Sequence, residues 1–120
     1  MKKAMMAAAA IILTACVSAL ASTAYTLSPA ELELVKQGAA AAADDPSSAT
    51  FGEWFPAAIS DGVITVCGTM NSKNGVGGVT GYKRFAGQLS GGSFTMIARG
   101  GDQRNDERVM GACAAAGVKI

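Results

Sequence analysis

Cys67 and Cys113 are the residues of this chain whose chemistry is most distinctive. Cys67 lies in the segment 63–70, an apolar and β-branched run typical of a central strand. Cys113 lies on the apolar stripe of the last predicted helix. In an oxidising compartment two such cysteines form a disulfide, which would tie this helix to the sheet. The alternative is a reactive thiol at Cys67, which would support a redox role.

The sequence contains no histidine, which limits the thiol alternative and most other catalytic chemistry. A nucleophilic cysteine or serine commonly relies on histidine as its general base, and zinc sites commonly use histidine ligands. Asp102, Asn105, Asp106 and Glu107 do not have the spacing of an EF-hand, and helix capping explains them. We therefore expect a protein that is not an enzyme and that uses no metal and no cofactor.

The glycine-rich segment 71–85 contains the side chains most suited to contact a ligand or a partner. Its glycines do not complete a dinucleotide-binding or phosphate-binding motif, so they are interpreted as turn residues. The candidate contact residues are Asn71, Lys73, Asn74, Tyr82, Lys83 and Arg84. The three cations among them would bind an anionic ligand if they form one patch, and otherwise they are solvated strand positions beside core rings.

The extended segment 51–59 contains Trp54 and Phe55, which are interpreted as core or as cover for a sheet edge rather than as a ligand platform. Pro56 restricts at least part of this segment to an edge or a bulge, because proline cannot donate to the ladder. The turn 60–62 then joins the segment to the central strand 63–70 in an antiparallel hairpin. Further strands are predicted at 79–89 and 94–99.

Helices are predicted at both ends of this strand region. Ser28, Pro29 and Glu31 are typical of a helix start, and Gly38 interrupts the same helix where close approach to the sheet would explain a glycine. The second helix begins at Asp102 or Asn105 and ends near 117. We predict an α+β domain with an N-terminal helix, a four-stranded antiparallel sheet and a C-terminal helix, both helices covering one face.

The N-terminal residues are typical of a secretory signal, because Lys2 and Lys3 precede an apolar run too short to span a bilayer. Two processing sites compete. Cleavage after Ala21 gives a signal peptide of 1–21, whereas a lipobox ending at Cys16 gives a signal of 1–15 and a lipidated cysteine. Residues 22–27 would form a tether and 28–120 a single domain. Without the two lysines the formal charge changes from 10 − 9 = +1 to 8 − 9 = −1.

Three stretches, 45–52, 66–74 and 77–85, together resemble a family of small exported proteins and lipoproteins of Gram-negative bacteria. The pattern is Asp-Pro-x-Ser-Ala-x-Phe, then Val-Cys-Gly-x-Val-Asn-x-Lys-Asn, then Gly-Gly-x-x-Gly-Tyr-x-x-Phe, over roughly 28–117. Met70 replaces the usual valine and Val76 stands where an aromatic residue is common. The resemblance implies a cysteine near the C-terminus, consistent with pairing of Cys67 and Cys113, and it implies no activity.

These observations favour a non-enzymatic module of the cell envelope, either free in the periplasm or attached to a membrane through lipidated Cys16. Its partner would be an envelope protein or polymer, and no nucleic-acid partner is expected. The alternative is a binding or inhibitor module that captures an anionic ligand through Lys73, Lys83 and Arg84. A thiol redox protein is the third and weakest hypothesis, because it needs free thiols.

Overall fold

The computed structural model describes residues 22–120, so the predicted signal peptide and Cys16 lie outside the described residues. The elements are, in chain order, β1 (Thr23–Tyr25), α1 (Pro29–Ala41), a 3-10 turn (Pro46–Ser48), β2 (Thr50–Phe51), β3 (Ala57–Ser60), β4 (Val63–Asn71), β5 (Lys83–Ser90), β6 (Ser93–Arg99) and α2 (Gln103–Ala115). The α+β class and the antiparallel sheet with two helices are confirmed. Within this part of the chain, no helix is long and apolar enough to cross a membrane.

Helix α1 begins where its capping residues predict. The Glu31 N–H donates to Ser28 Oγ at 3.1 Å, and the Ser28 N–H donates to Glu31 Oε1 at 2.9 Å. This reciprocal capping satisfies two N–H groups that a helix start otherwise leaves unpaired. Gly38 faces β6 so closely that a Cβ at this position would lie 2.5 Å from the Phe94 carbonyl oxygen. The predicted close approach of helix and sheet is therefore confirmed.

The sheet has six strands, not the four that we predicted. Its order is β1-β3-β4-β5-β6, and β2 pairs with the far end of β4, on the same edge as β3. Residues 22–27 were expected to be a tether, but β1 lies within them and pairs with β3. The predicted strand 51–59 is two short strands, since residues 52–56 leave the ladder. The hairpin of β3 and β4 is confirmed. Its turn residues Asp61 and Gly62 have φ of 51° and 75°. A tight two-residue hairpin turn favours this left-handed backbone conformation at both positions.

The two helices lie on opposite faces of the sheet, which corrects the prediction that they share one face. Helix α1 contributes Val35 and Ala39 to a cluster with large side chains of the sheet, among them Phe85 and Phe94. Helix α2 packs on the other face, where the cluster consists of Ala58, Cys67, Ala86, Ala98, Val109, Cys113 and Val118. Side chains alternate along a strand, so a central strand that is apolar on both faces, as β4 is, needs cover on both.

A β-bulge in β6 distributes its residues between these two layers. The ladder pairs Met96 and Ala98 with consecutive residues of β5, so Ile97 is an extra residue in β6. Regular alternation along the strand would put Ala98 on the same face as Met96, but the bulge moves it into the cluster beneath α2. The bulge also directs Arg99 to the end of α1, where its Nη1 donates to the Ala42 carbonyl oxygen at 2.8 Å. One inserted residue thus lets β6 serve both helices.

The predicted disulfide between Cys67 and Cys113 is confirmed. The two Cα atoms are 6.4 Å apart, the S–S distance is 2.05 Å, and the sequence separation is 46. Both cysteines are buried, and they join the middle of β4 to α2. The bond therefore attaches the second helical layer covalently to the centre of the sheet.

Candidate functional site

The predicted contact residues of the segment 71–85 lie mainly in an exposed loop between β4 and β5. Lys73 pairs with Val79 in an isolated bridge. Asn74 supports the loop itself, because its Oδ1 accepts from the N–H groups of Val76 and Gly78 at 3.0 and 2.9 Å. Its side chain is therefore committed to a turn, and the amide oxygen is not available to a ligand.

Two other predicted residues, Asn71 and Tyr82, lie at the ends of this loop. Tyr82 is 57% exposed at its end. Asn71 is the last residue of β4, and its Oδ1 is buried. Within residues 22–120 no hydrogen-bond partner reaches that oxygen, and nothing in the structure explains it. Lys73 is exposed, and its backbone N–H donates to Ser48 Oγ at 2.8 Å.

The structure does not bring Lys83 and Arg84 into one patch. They are consecutive in β5, and their side chains therefore point to opposite faces of the sheet. Lys83 lines a polar depression on the α1 side together with Arg99 and Asp44. Arg84 lies on the α2 side, where it lines a different and largely apolar pocket. The predicted cationic residues thus serve two separate surfaces.

A small and largely apolar pocket lies beside Arg84. It has a volume of about 190 Å³, and the residues that define it are Trp54, Cys67, Gly68, Arg84, Phe85 and Val109. We call it the Trp54 pocket. Glu53 and Ile120 also contribute to its wall. Most of these lining groups are apolar, and the charged ones belong to Glu53 and Arg84.

The Trp54 pocket exists because residues 52–56 leave the edge of β4. The ladder is held on either side of the gap, where the Cys67 N–H donates to the Pro56 carbonyl at 2.9 Å and the Gly52 N–H donates to the Thr69 carbonyl at 3.1 Å. Between these bonds, residues 53–55 make no backbone hydrogen bond to β4 in the part of the chain that the structure describes. The arch carries Trp54 outward, and the side chain is 65% exposed.

Gly68 lets aromatic rings pack closely against β4 on its α1 side. A Cβ at this position would lie 2.9 Å from the Phe85 ring and 3.1 Å from the Phe55 ring, so any side chain there would displace them. The Phe85 ring is itself fixed by edge contacts with the rings of Phe51 and Phe94, at centroid distances of 6.3 and 6.0 Å. These rings belong to the α1-side cluster, and Phe85 is fully buried, so they support β4 from the face opposite to Arg84.

Arg84 is one of the two charged residues that line the pocket. It is the cross-strand partner of Thr69, and it lies across from α2. Its Nη1 donates to Met110 Sδ at 3.1 Å, and a thioether is a weak acceptor. Of the described residues, only Arg99 and Asp44 form an ion pair, at 3.8 Å. Arg84 and Glu53 consequently line the same pocket without being paired to each other.

The cysteines at this site are not available as thiols. Cys67 forms part of the pocket wall, but its sulfur is bonded to that of Cys113, and the two residues are 2% and 0% exposed. The structure therefore gives the disulfide a supporting position behind the pocket.

Tyr25 and Glu31 form a hydrogen-bonded pair of titratable side chains at the start of α1. Hydrogen bonds from the Ser28 N–H and from the Tyr25 hydroxyl lower the pKa of Glu31, and the bond to Glu31 raises the pKa of Tyr25. Both carboxylate oxygens are 2.8 Å from the Tyr25 hydroxyl. This pair joins β1 to α1 and is structural. In residues 22–120 no group of three or more acidic, cysteine or histidine side chains is placed to hold a metal ion.

Sequence reasoning placed Trp54 and Phe55 together, and the structure separates them. Phe55 packs against the α1-side cluster, whereas Trp54 is exposed at the pocket. The available signal was Pro56, which stands two residues after Trp54. A proline cannot donate to the ladder, so it indicates that the strand is interrupted near the tryptophan.

Comparison of the chain with family models, with curated proteins and with solved structures gives no match. The resemblance to small exported proteins of Gram-negative bacteria therefore stays a prediction, and the geometry of the Trp54 pocket is the basis for a functional proposal.

Proposed function

We propose that this protein is a non-enzymatic binding module of the bacterial cell envelope, and that it holds an apolar group of its ligand in the Trp54 pocket. The observation that carries the proposal is the combination of a preformed cavity of about 190 Å³ with an exposed tryptophan on its rim. An engineered apolar cavity of about 150 Å³ accepts benzene, so this volume suits one aromatic ring or one branched aliphatic group.

The exposure of apolar side chains around the pocket supports binding rather than a purely structural role. Trp54 and Ile120 are 65% and 40% exposed, and Met110, which contacts Arg84, is 42% exposed. Contiguous exposed apolar groups beside polar ones are typical of interaction sites. Tryptophan and arginine are also the residue types that most often dominate binding energy at protein interfaces.

The rigidity of the site supports the same proposal. The disulfide fixes the wall formed by Cys67, and interlocked phenylalanine rings support β4 from its α1 side. A pocket that is ordered before binding loses little conformational entropy when the ligand enters, and this improves affinity. The buried disulfide also makes the thiol redox hypothesis the least favoured of the three.

The proposed location in the envelope rests on the N-terminal sequence and is compatible with the disulfide. Export, cleavage after Ala21 or lipidation of Cys16, and a protein or polymer partner in the envelope are parts of the proposal. Intact-mass measurement of the protein from membrane and soluble fractions tests processing, because it distinguishes an acylated Cys16 from a chain that begins at Ser22.

The binding proposal is tested by titrating the isotope-labelled protein with benzyl alcohol, a neutral probe with one ring. Amide shifts should concentrate at residues 52–56 and 67–69, and the indole N–H of Trp54, the only tryptophan, should move with them. Trp54→Ala should weaken binding severalfold, whereas Tyr82→Ala, a control at an exposed aromatic residue on the loop, should not.

Two results would overturn the proposal. The first is a set of small shifts scattered over the surface and unchanged by Trp54→Ala. The second is turnover of an ester, phosphoester or peptidoglycan substrate that a single side-chain change abolishes, because the protein would then be an enzyme.

A further inference from the structure

We infer that the Trp54 pocket binds the zwitterionic head and apolar side chain of a free α-amino acid, with the carboxylate on Arg84 and the ammonium on Glu53. This inference rests on the proposed function and specifies the ligand of the same site. It is carried by two opposite charges that line one small apolar pocket and are not paired with each other. A ligand that carries both a carboxylate and an ammonium complements two such lining charges.

Arg84 provides the site for the carboxylate. The guanidinium carries five N–H donors in a planar fork, and only one of them has a described partner, the Met110 sulfur. A carboxylate can accept two parallel hydrogen bonds from this fork, and charge-assisted bonds of this kind are stronger than the bond to a thioether. Binding a carboxylate therefore improves the hydrogen bonding of Arg84 without breaking an ion pair.

Two acceptors among the lining residues are available to the ammonium group. One is the Glu53 carboxylate. The other is the Cys67 carbonyl, which receives no backbone hydrogen bond from the residue that faces it. Cys67 and Pro56 face each other across the edge of β4 as a hydrogen-bonded pair, and Pro56 has no N–H to return. An ammonium has three donors and no acceptor, which matches two acceptor groups.

The remaining volume accommodates the side chain of the amino acid. Pro56, Ile120 and the exposed indole of Trp54 offer apolar contact, and the cavity is large enough for one ring. An aliphatic amino acid with a branched side chain would also fit. The pocket therefore selects apolar amino acids over polar ones, which would leave their side-chain donors unpaired.

Calorimetric titration of the full mature domain with four related probes tests the inference. L-Phenylalanine and D-phenylalanine carry both charges, 3-phenylpropanoate carries only the carboxylate, and phenethylamine carries only the ammonium. Phenylalanine should bind more tightly than either single-charge probe. Arg84→Gln should weaken phenylalanine and 3-phenylpropanoate about tenfold and leave phenethylamine unchanged, as expected for loss of one charge-assisted contact.

Glu53→Gln should give the complementary pattern. It should weaken phenylalanine and phenethylamine, and it should strengthen 3-phenylpropanoate because a repelling charge is removed. The matched controls are Arg108→Gln and Glu107→Gln, which remove exposed charges of α2 outside the pocket and should change no affinity. Amide spectra of each variant establish that it folds as the unmodified protein does.

The inference is overturned if the neutral probe binds in the Trp54 pocket and neither charge variant discriminates among the charged probes. In that case the proposed function stands with a different ligand. N-acetylphenylalanine provides another decisive comparison. If it binds more tightly than phenylalanine, the site recognises a peptide C-terminus through Arg84 alone, and the role of Glu53 is wrong. If no probe binds, the inference and the proposed function both fail.

Discussion

Replacing Gly38 by alanine tests how closely α1 lies on β6. In an exposed helix interior this change is stabilising by about 1 kcal/mol, because alanine has the higher helix propensity. At Gly38 the new Cβ would lie 2.5 Å from the Phe94 carbonyl oxygen and 2.8 Å from the Phe94 Cβ. Both atoms belong to the fixed part of a strand, so they cannot rotate away.

The expected net effect is the balance of these opposing contributions. Forcing an extra methyl group into a packed layer costs about 1–3 kcal/mol, and the propensity gain offsets about 1 kcal/mol of that cost. We therefore expect Gly38→Ala to lower the free energy of unfolding by up to about 2 kcal/mol. For a domain of this size each kcal/mol corresponds to a fall in Tm of about 4–8 °C.

Gly111 provides the matched control, because it is a glycine in α2 with no atom within 4 Å of its ideal Cβ. Gly111→Ala should raise the free energy of unfolding by about 1 kcal/mol. Urea unfolding followed by circular dichroism measures both variants under the same conditions. If Gly38→Ala stabilises the protein as much as Gly111→Ala does, the helix does not lie as close to β6 as described, and the reasoning is refuted.

The disulfide, the Glu31 carboxylate and the Arg99 guanidinium each make a contact whose loss can be measured. Replacing both Cys67 and Cys113 by alanine should lower the free energy of unfolding by about 4 kcal/mol, from the loop-entropy relation for a separation of 46; a loss below about 1 kcal/mol in urea unfolding would contradict the proposed importance of the bond. The pKa of Glu31 is lowered in the folded state, so its contribution is present above the unfolded pKa and disappears as the pH falls through the folded value. Thermal unfolding should therefore show Glu31→Gln less stable than the unmodified protein at pH 7, with a gap that narrows toward pH 3; a gap independent of pH would contradict this assignment. Arg99→Ala should cost about 1 kcal/mol through loss of the bond to the last turn of α1, and hydrogen exchange should increase at the end of that helix but not in α2.

Local signals made much of this fold predictable. The start of α1 was readable because Ser28, Pro29 and Glu31 each act on their own neighbours, and capping depends on nothing distant. The hairpin turn at 60–62 and the cap of α2 at Asp102 were readable for the same reason. The disulfide followed from the compartment and from the burial expected for two cysteines on apolar faces.

The features that were missed depend on contacts between distant segments. Strand β1 has only three residues and forms because β3 offers it an edge, so its own sequence carries no strand pattern. The two helices cover opposite faces of β4, and both faces of this strand are apolar. The pattern of β4 therefore does not indicate which face each helix covers. The bulge at Ile97 is a register shift between two strands, and an alternating pattern within one strand cannot reveal it.

The candidate site was only partly predictable. Arg84 was singled out by its charge, but its partners came from the arch 52–56 and from α2, which the sequence does not place beside it. The loop residues predicted with it are exposed or are used by the loop itself. A cavity is a property of the space between elements, and residue types alone do not define it.

The unequal composition of the two layers has a consequence for how the molecule matures. Beneath α1 the sheet presents phenylalanines and leucine, whereas beneath α2 it presents alanines and one half of the cystine. Side chains this small bury little area, so hydrophobic contact alone holds α2 weakly. Before oxidation the chain should already assemble the sheet with its first helix, while α2 docks and detaches repeatedly. We therefore expect oxidation to complete the wall around Trp54, so that the proposed ligand binds the oxidised protein and not the reduced chain.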